Sequence, residues 1–107
     1  MSSQFFKFPS TSHLLASGSF KVREDKVFTT EEQEKFLQHE ITVEEKIDGA
    51  NLGISFSSNG ELVLQNRGDL IAAPLLGQWK PLEQWLNPRI NILFECLGDQ
   101  YVIFGEW

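Results

Sequence analysis

Residues 51 to 66 are patterned as a β-hairpin, and this stretch constrains the fold more than any other. Leu52, Ile54 and Phe56 alternate with small or polar residues, which places them on one face of a strand over Asn51 to Ser57. Ser58-Asn59-Gly60 follows as a turn, with Asn-Gly supplying the positive φ angles that a tight reversal needs. A second strand then runs from Glu61 to Asn66. At 107 residues the chain forms one domain at most, with a modest core to which nine Phe and three Trp contribute large apolar surfaces.

The flanking segments predict short helices and further strands, an α+β pattern. Residues Ser2 to Lys26 form an irregular arm with Pro9 and Gly18, anchored by Phe5, Phe6 and Phe8. Thr30 and Gln33 have capping-box spacing, so a helix over Glu31 to His39 is expected, with Phe36 and Leu37 packed inward. Ile41 to Asp48 alternates apolar and polar residues except at Glu45 and is expected to be a strand. From Leu75 to Trp85 helical pieces are interrupted by Gly77 and Pro81, with Trp79 and Trp85 as packing residues. Pro88 suits the first turn of a helix through Phe94, yet Ile90, Ile92 and Phe94 also alternate as in a strand, and periodicity does not separate the two. Tyr101 to Trp107 is expected to be a buried strand.

Charge and cysteine content narrow the function. The net charge of −6 works against a free-standing nucleic-acid binder, so contact with phosphates requires cations that are clustered locally or supplied by a further segment. A single cysteine, Cys96, excludes an intramolecular disulfide and a CxxC zinc site. His13 and His39 are not spaced as a metal pair and have no evident third ligand, so no protein-held metal is expected. No apolar run approaches the roughly 18 residues of a membrane helix, and a soluble intracellular protein is the expectation.

The chemistry-bearing segment is Glu44-Glu45-Lys46-Ile47-Asp48-Gly49-Ala50-Asn51. On a strand, Glu44, Lys46 and Asp48 share one face, and a glycine turn follows. Alone, this pattern favours a solvated charged strand, with Lys46 balancing its neighbours, over a site. About twenty residues on stands Gln65-Asn66-Arg67-Gly68, and Phe104-Gly105-Glu106 closes the sequence before Trp107. Lys46-x-Asp48-Gly49 matches motif I of the covalent nucleotidyltransferases, the superfamily of DNA ligases, RNA ligases and messenger-RNA capping enzymes. QNRG resembles its motif Ia and FGE its motif III, in the family's order. EKIDGANLGI, with Asn51 two residues after the motif glycine, is most similar to the RNA ligase domain family that includes phage-type enzymes sealing nicks in duplex RNA. KFPST-HL and Arg23-Glu24-Asp25-Lys26-Val27 also resemble the N-terminal region of ligase-like members.

The resemblance implies the front portion of a ligase adenylation (ATP-grasp-like) domain, mainly antiparallel sheet with short helices, spanning residues 1–107. It carries motifs I, Ia and III, without IIIa, IV and V. It implies Lys46 as the nucleophile that takes AMP from ATP, and Arg67 at the ribose or phosphates. Glu106 would lie on the ribose hydroxyls, Glu44 near the adenine amino group, and Asn51 near the phosphates or a metal-bound water. Gly49 would permit the turn after the nucleophile. Mg²⁺ on the ATP phosphates and Arg67 are the cations expected to offset the carboxylates of Glu44 and Asp48. The implied partners are RNA ends. Because the chain stops inside an apparent strand, a fragment or degenerate copy is expected. Two alternatives stand beside the ligase: a non-catalytic remnant serving as a nucleotide-binding or interaction module, and a DNA ligase or capping-type enzyme, including users of GTP.

Overall fold

The computed structural model describes residues 5–15 and 26–107. Gly18, Arg23, Glu24 and Asp25, on which part of the N-terminal reading fell, lie outside the described residues. The chain forms two compact units, Pro9–Lys46 and a larger one of Met1–Phe8 with Ile47–Trp107. Elements in chain order are α1 (Thr30–Leu37), β1 (Asn51–Phe56), β2 (Leu62–Gln65), a 3₁₀ turn (Gly77–Trp79), α2 (Leu82–Leu86), α3 (Ile90–Leu97) and β3 (Ile103–Glu106). The α+β expectation holds: short helices accompany one antiparallel three-stranded sheet.

In the unit Pro9–Lys46, His13 forms a parallel bridge with Val27, its N–H donating to the Lys26 carbonyl and its own carbonyl accepting from Phe28. α1 begins one residue earlier than its sequence signature suggested. Thr29, not Thr30, is the N-cap, and its hydroxyl accepts from the Glu32 N–H while the Glu32 carboxylate accepts from the Thr29 N–H. Both Thr-x-x-Glu and Thr-x-x-Gln satisfy the capping-box pattern, and the charged acceptor prevails. The Gln33 side chain donates instead to the Leu14 carbonyl at 2.8 Å, tying the helix to the segment before it. Phe36 and Leu37 are exposed rather than packed inward, and the Phe36 ring lies beside that of Phe28, with centroids 5.8 Å apart.

The expected strand over Ile41 to Asp48 is absent: the segment is irregular and solvent-exposed throughout. Its alternation was genuine, but a strand requires partners for its backbone groups. The β1–β3 ladder ends where Ala50 and Trp107 exchange hydrogen bonds of 3.0 and 2.9 Å, and β2 leaves the sheet at Asn66. Among the described residues no rung lies beyond Ala50 on either side.

The larger unit is built around the hairpin. The sheet order is β2-β1-β3, so β1 is hydrogen-bonded on both edges, and all six of its residues are buried. The turn differs in type from that expected. Gly60 alone has positive φ, at +80°, and its N–H donates to the Ser57 carbonyl while Ser57 N–H reaches Glu61. This is a three-residue loop ending on a left-handed glycine, which supplies the necessary twist without a strained Asn59. Leu52 and Ile54 of β1 face Leu64 of β2 and the two α2 leucines, Leu82 and Leu86, forming the core. α2 starts directly after Pro81, whose fixed φ suits a helix N-terminus.

For residues 90–97 the helix prevails. Ile90, Leu93 and Leu97 recur at helical spacing and are the partly buried members, while Ile92 is exposed. Gly98, at φ +54°, ends α3, and the Phe94 ring meets Phe56 edge-on at 5.1 Å. β3 forms as expected but is an edge strand with exposed residues, not a buried one. Among the described residues no helix is long and apolar enough to cross a membrane. Leu82 is wholly inaccessible to solvent, so Leu82→Ala should cost about 2–5 kcal/mol in denaturant unfolding. Leu76→Ala, at a position 69% exposed, should stay within about 0.5 kcal/mol of the parent. Equal costs at the two positions would contradict this core.

Candidate functional site

The face of β1 opposite the core carries Asn51, Gly53 and Ser55. Asn51 stands opposite Glu106 of β3, and Gly53 lies between Phe104 of β3 and Gln65 of β2. Directly opposed residues on an antiparallel pair project to the same side, with Cβ atoms about 5 Å apart. Asn51 is only 9% exposed, yet its Oδ1 has no hydrogen-bond partner among the described residues. A buried acceptor left unpaired costs about 1–3 kcal/mol, so the position is expensive for the fold. Its cross-strand neighbour Glu106 is exposed and also presents acceptors. Two acceptors side by side suit a ligand that brings donors: hydroxyls, an amino group or bound water.

Gly49 immediately precedes this pair. A Cβ there would lie 2.6 Å from the Trp107 carbonyl oxygen and 3.1 Å from its carbon. The turn expected at Gly49 does not need a positive φ; glycine is required because two backbones approach closely. This contact seats the motif I turn beside the end of β3, so Asp48 and Gly49 run next to the strand that carries Glu106.

Gly53 serves a similar purpose on the strand. Its missing Cβ would sit 2.6 Å from Gln65 Cγ and 2.9 Å from Phe104 Cε1, so glycine opens the space in which these two side chains lie. Gln65 is fully buried and spends its whole carboxamide on one residue: Oε1 accepts from the Phe6 N–H at 3.2 Å, and Nε2 donates to the Phe6 carbonyl at 2.6 Å. The side chain thus imitates a neighbouring strand and fastens the segment Phe5–Phe8 over the sheet. Phe6 and Phe8 pack on Phe104, with centroids 6.5 and 4.9 Å apart.

Arg67 stands at the tip of the loop that follows β2. Asn66 Oδ1 accepts from the N–H groups of Gly68 and Asp69 at 2.9 and 2.8 Å, and Asn66 N–H donates to the Asp69 carbonyl. This Asx turn, closed by the bridge of Gln65 to Leu70, holds Arg67 at the surface. Its guanidinium lies over the Phe8 ring, 5.2 Å from the centroid.

The predicted residues therefore fall into groups. Asn51 and Glu106 meet on one face, with Asp48 and Gly49 adjoining. Arg67 stands over Phe8, whose ring packs on Phe104, a residue on the same face of β3 as Glu106. Glu44 and Lys46 lie in the exposed irregular segment that ends the other unit. The sequence reading missed Gln65, Phe8 and Phe104 as parts of the site. Gln65 offered a signal, since a long amide facing inward on a strand must find buried partners. Phe8 offered none, because a contact across 59 residues leaves no local pattern.

Comparison with protein families yields one match: a family model described as RNA ligase covers residues 39–107, more than half of the chain. The three motif strings lie inside that span, whereas KFPST-HL lies before it. The fold is α+β, with Gln65 and Phe104–Glu106 on the sheet and Lys46 and Arg67 on the irregular segments outside it. The chain belongs to the RNA ligase family. Neither curated proteins nor solved structures match it.

Two glycines give a direct check on this geometry. Gly53→Ala should displace Gln65, lower stability by about 1–3 kcal/mol and raise amide hydrogen exchange across Phe5–Phe8. Gly68→Ala meets nothing within 4 Å, and its φ is not positive, so it should be near neutral. Unchanged exchange in Gly53→Ala would contradict the assigned anchoring of the arm.

Proposed function

We propose that this chain is the nucleotide-accepting portion of an ATP-dependent RNA ligase, in which Lys46 takes AMP for the joining of 5′-phosphate to 3′-hydroxyl RNA ends. The observation that carries the reading is the Asn51 Oδ1, buried and without a partner among the described residues, opposite Glu106 on β3. A nucleotide supplies what that pair lacks. Ribose hydroxyls donate to the Glu106 carboxylate, and a water on the phosphate-bound metal, or an amine, donates to Asn51.

The neutral Lys46 amine attacks the α-phosphorus of ATP: an N–P bond forms, the proton shed by Nζ passes to water, and the bond to the bridging oxygen breaks so that pyrophosphate leaves with its electron pair. Arg67, a cation on a loop stiffened by Asn66, is suited to negative charge gathering on the phosphates. Glu44 is assigned to the adenine amino group by resemblance. Mg²⁺ arrives on the triphosphate; among the described residues no group of three His, Cys, Asp or Glu side chains is placed to hold a metal by itself. These incoming cations would offset the Glu44 and Asp48 carboxylates that flank Lys46 in the sequence.

The irregular course of Ile41–Asp48 favours a second reading, in which the chain binds nucleotide without becoming adenylylated. Incubation with Mg²⁺ and either ATP or GTP, followed by intact-mass measurement, separates the two. The enzyme reading predicts an adduct of one AMP that forms with ATP, not GTP, and disappears in Lys46→Ala. An adduct that survives Lys46→Ala, or none even in a chain extended through the later motifs, would overturn it.

A further inference from the structure

We propose that Phe8 is a positioning residue for Arg67, which makes the N-terminal segment part of the nucleotide site rather than a peripheral arm. The proposal rests on the reading of Arg67 as a phosphate or ribose contact and adds to it the device that aims the side chain.

Arg67 is exposed at the tip of a loop, and a long side chain in that position samples many rotamers. The Phe8 ring limits this, since the guanidinium carbon lies 5.2 Å from its centroid, inside the range of cation–π attraction. An aromatic face is an apt holder for an arginine that must still bind a ligand. A carboxylate would neutralise the cation and occupy its N–H donors, whereas a ring attracts the charge through its face and leaves the in-plane donors available.

A holder must itself be held, and Phe8 is fixed from two sides. Its ring packs edge-on against Phe104 at 4.9 Å with the planes 64° apart, and Phe104 belongs to motif III. Its backbone is fixed two residues earlier, where the buried Gln65 carboxamide takes both the N–H and the carbonyl of Phe6. Gln65 and Arg67 are two residues apart in QNRG. That string therefore supplies both the clamp that seats the arm and the cation that the arm positions, while Gly53 leaves room for the clamp. Phe104 and the Gln65–Phe6 clamp thus fix the Phe8 ring that lies against the Arg67 guanidinium.

The test is a double-mutant cycle on the intact chain: wild type, Phe8→Leu, Arg67→Ala and the double variant, with Phe8→Trp as the variant that keeps a ring. AMP affinity is read by NMR titration and Lys46 adenylylation by intact mass, with thermal melts to confirm folding. Phe8→Leu should weaken AMP binding about fivefold, Phe8→Trp should stay within about twofold of wild type, and in the Arg67→Ala background Phe8→Leu should add less than about twofold. The Arg67 Nε–H resonance should move downfield in Phe8→Leu as the ring-current shift is lost, which a purely structural role for Phe8 does not predict. The same penalty for Phe8→Leu with and without Arg67, or a loss in Arg67→Ala with none in Phe8→Leu, would overturn the proposal alone. Unchanged binding in Arg67→Ala would overturn the assignment of Arg67 itself, and this inference with it.

Discussion

The hydrogen bonding of β1 along both of its edges is the constraint on which the rest of the larger unit depends. A strand paired on one side only would leave a row of donors and acceptors in contact with the core, at a cost comparable to several lost hydrogen bonds. With β2 and β3 both in place, β1 is sealed, and its two faces separate cleanly. Leu52 and Ile54 close the apolar core over α2, while Asn51 and Gly53 are left to the opposite face. The same pairing brings residues 51 and 106 side by side, although 54 residues lie between them. The candidate site and the core are thus on two faces of one strand.

Glycine decides what that second face can hold. At Gly49 the absent side chain lets the motif I turn lie against the Trp107 backbone, and at Gly53 it lets Gln65 and Phe104 meet across the sheet. Both substitutions to alanine would insert a methyl group where an atom already stands under 3 Å away. These glycines are needed for clearance, a role that sequence inspection readily confuses with a need for positive φ. Only Gly60, Gly77 and Gly98 adopt positive φ among the described residues.

Local interactions were legible in the sequence, and long-range ones were not. The hairpin over 51–66 could be read because alternation and Asn-Gly are neighbours in the chain, and the helical pieces around Gly77 and Pro81 were marked by their breakers. α3 was undecided because Ile90, Ile92 and Phe94 fit either period; the sheet has room for β3 beside β1, and residues 90–97 pack as a helix instead. The strand reading of Ile41–Asp48 failed since alternation cannot report whether a partner edge exists. β3 was placed well but its burial was overestimated, as an apolar edge strand has the same composition as a central one. At the site, the three motifs marked Asn51, Arg67 and Glu106, whereas the clamp by Gln65 and the packing of Phe8 depend on contacts spanning 59 and 96 residues.

The central claim is that the Asn51–Glu106 face receives a nucleotide. It is tested most directly by following the side-chain amide of Asn51 and the backbone amides of Gly53, Phe104 and Glu106 by NMR as AMP is added. The account predicts saturable shifts concentrated on these residues and on Arg67. It also predicts little change at Leu62, Ile71 and Leu86, which line a cavity of about 970 Å³ on the core side of the sheet. Shifts confined to that cavity, or none at millimolar AMP, would contradict it.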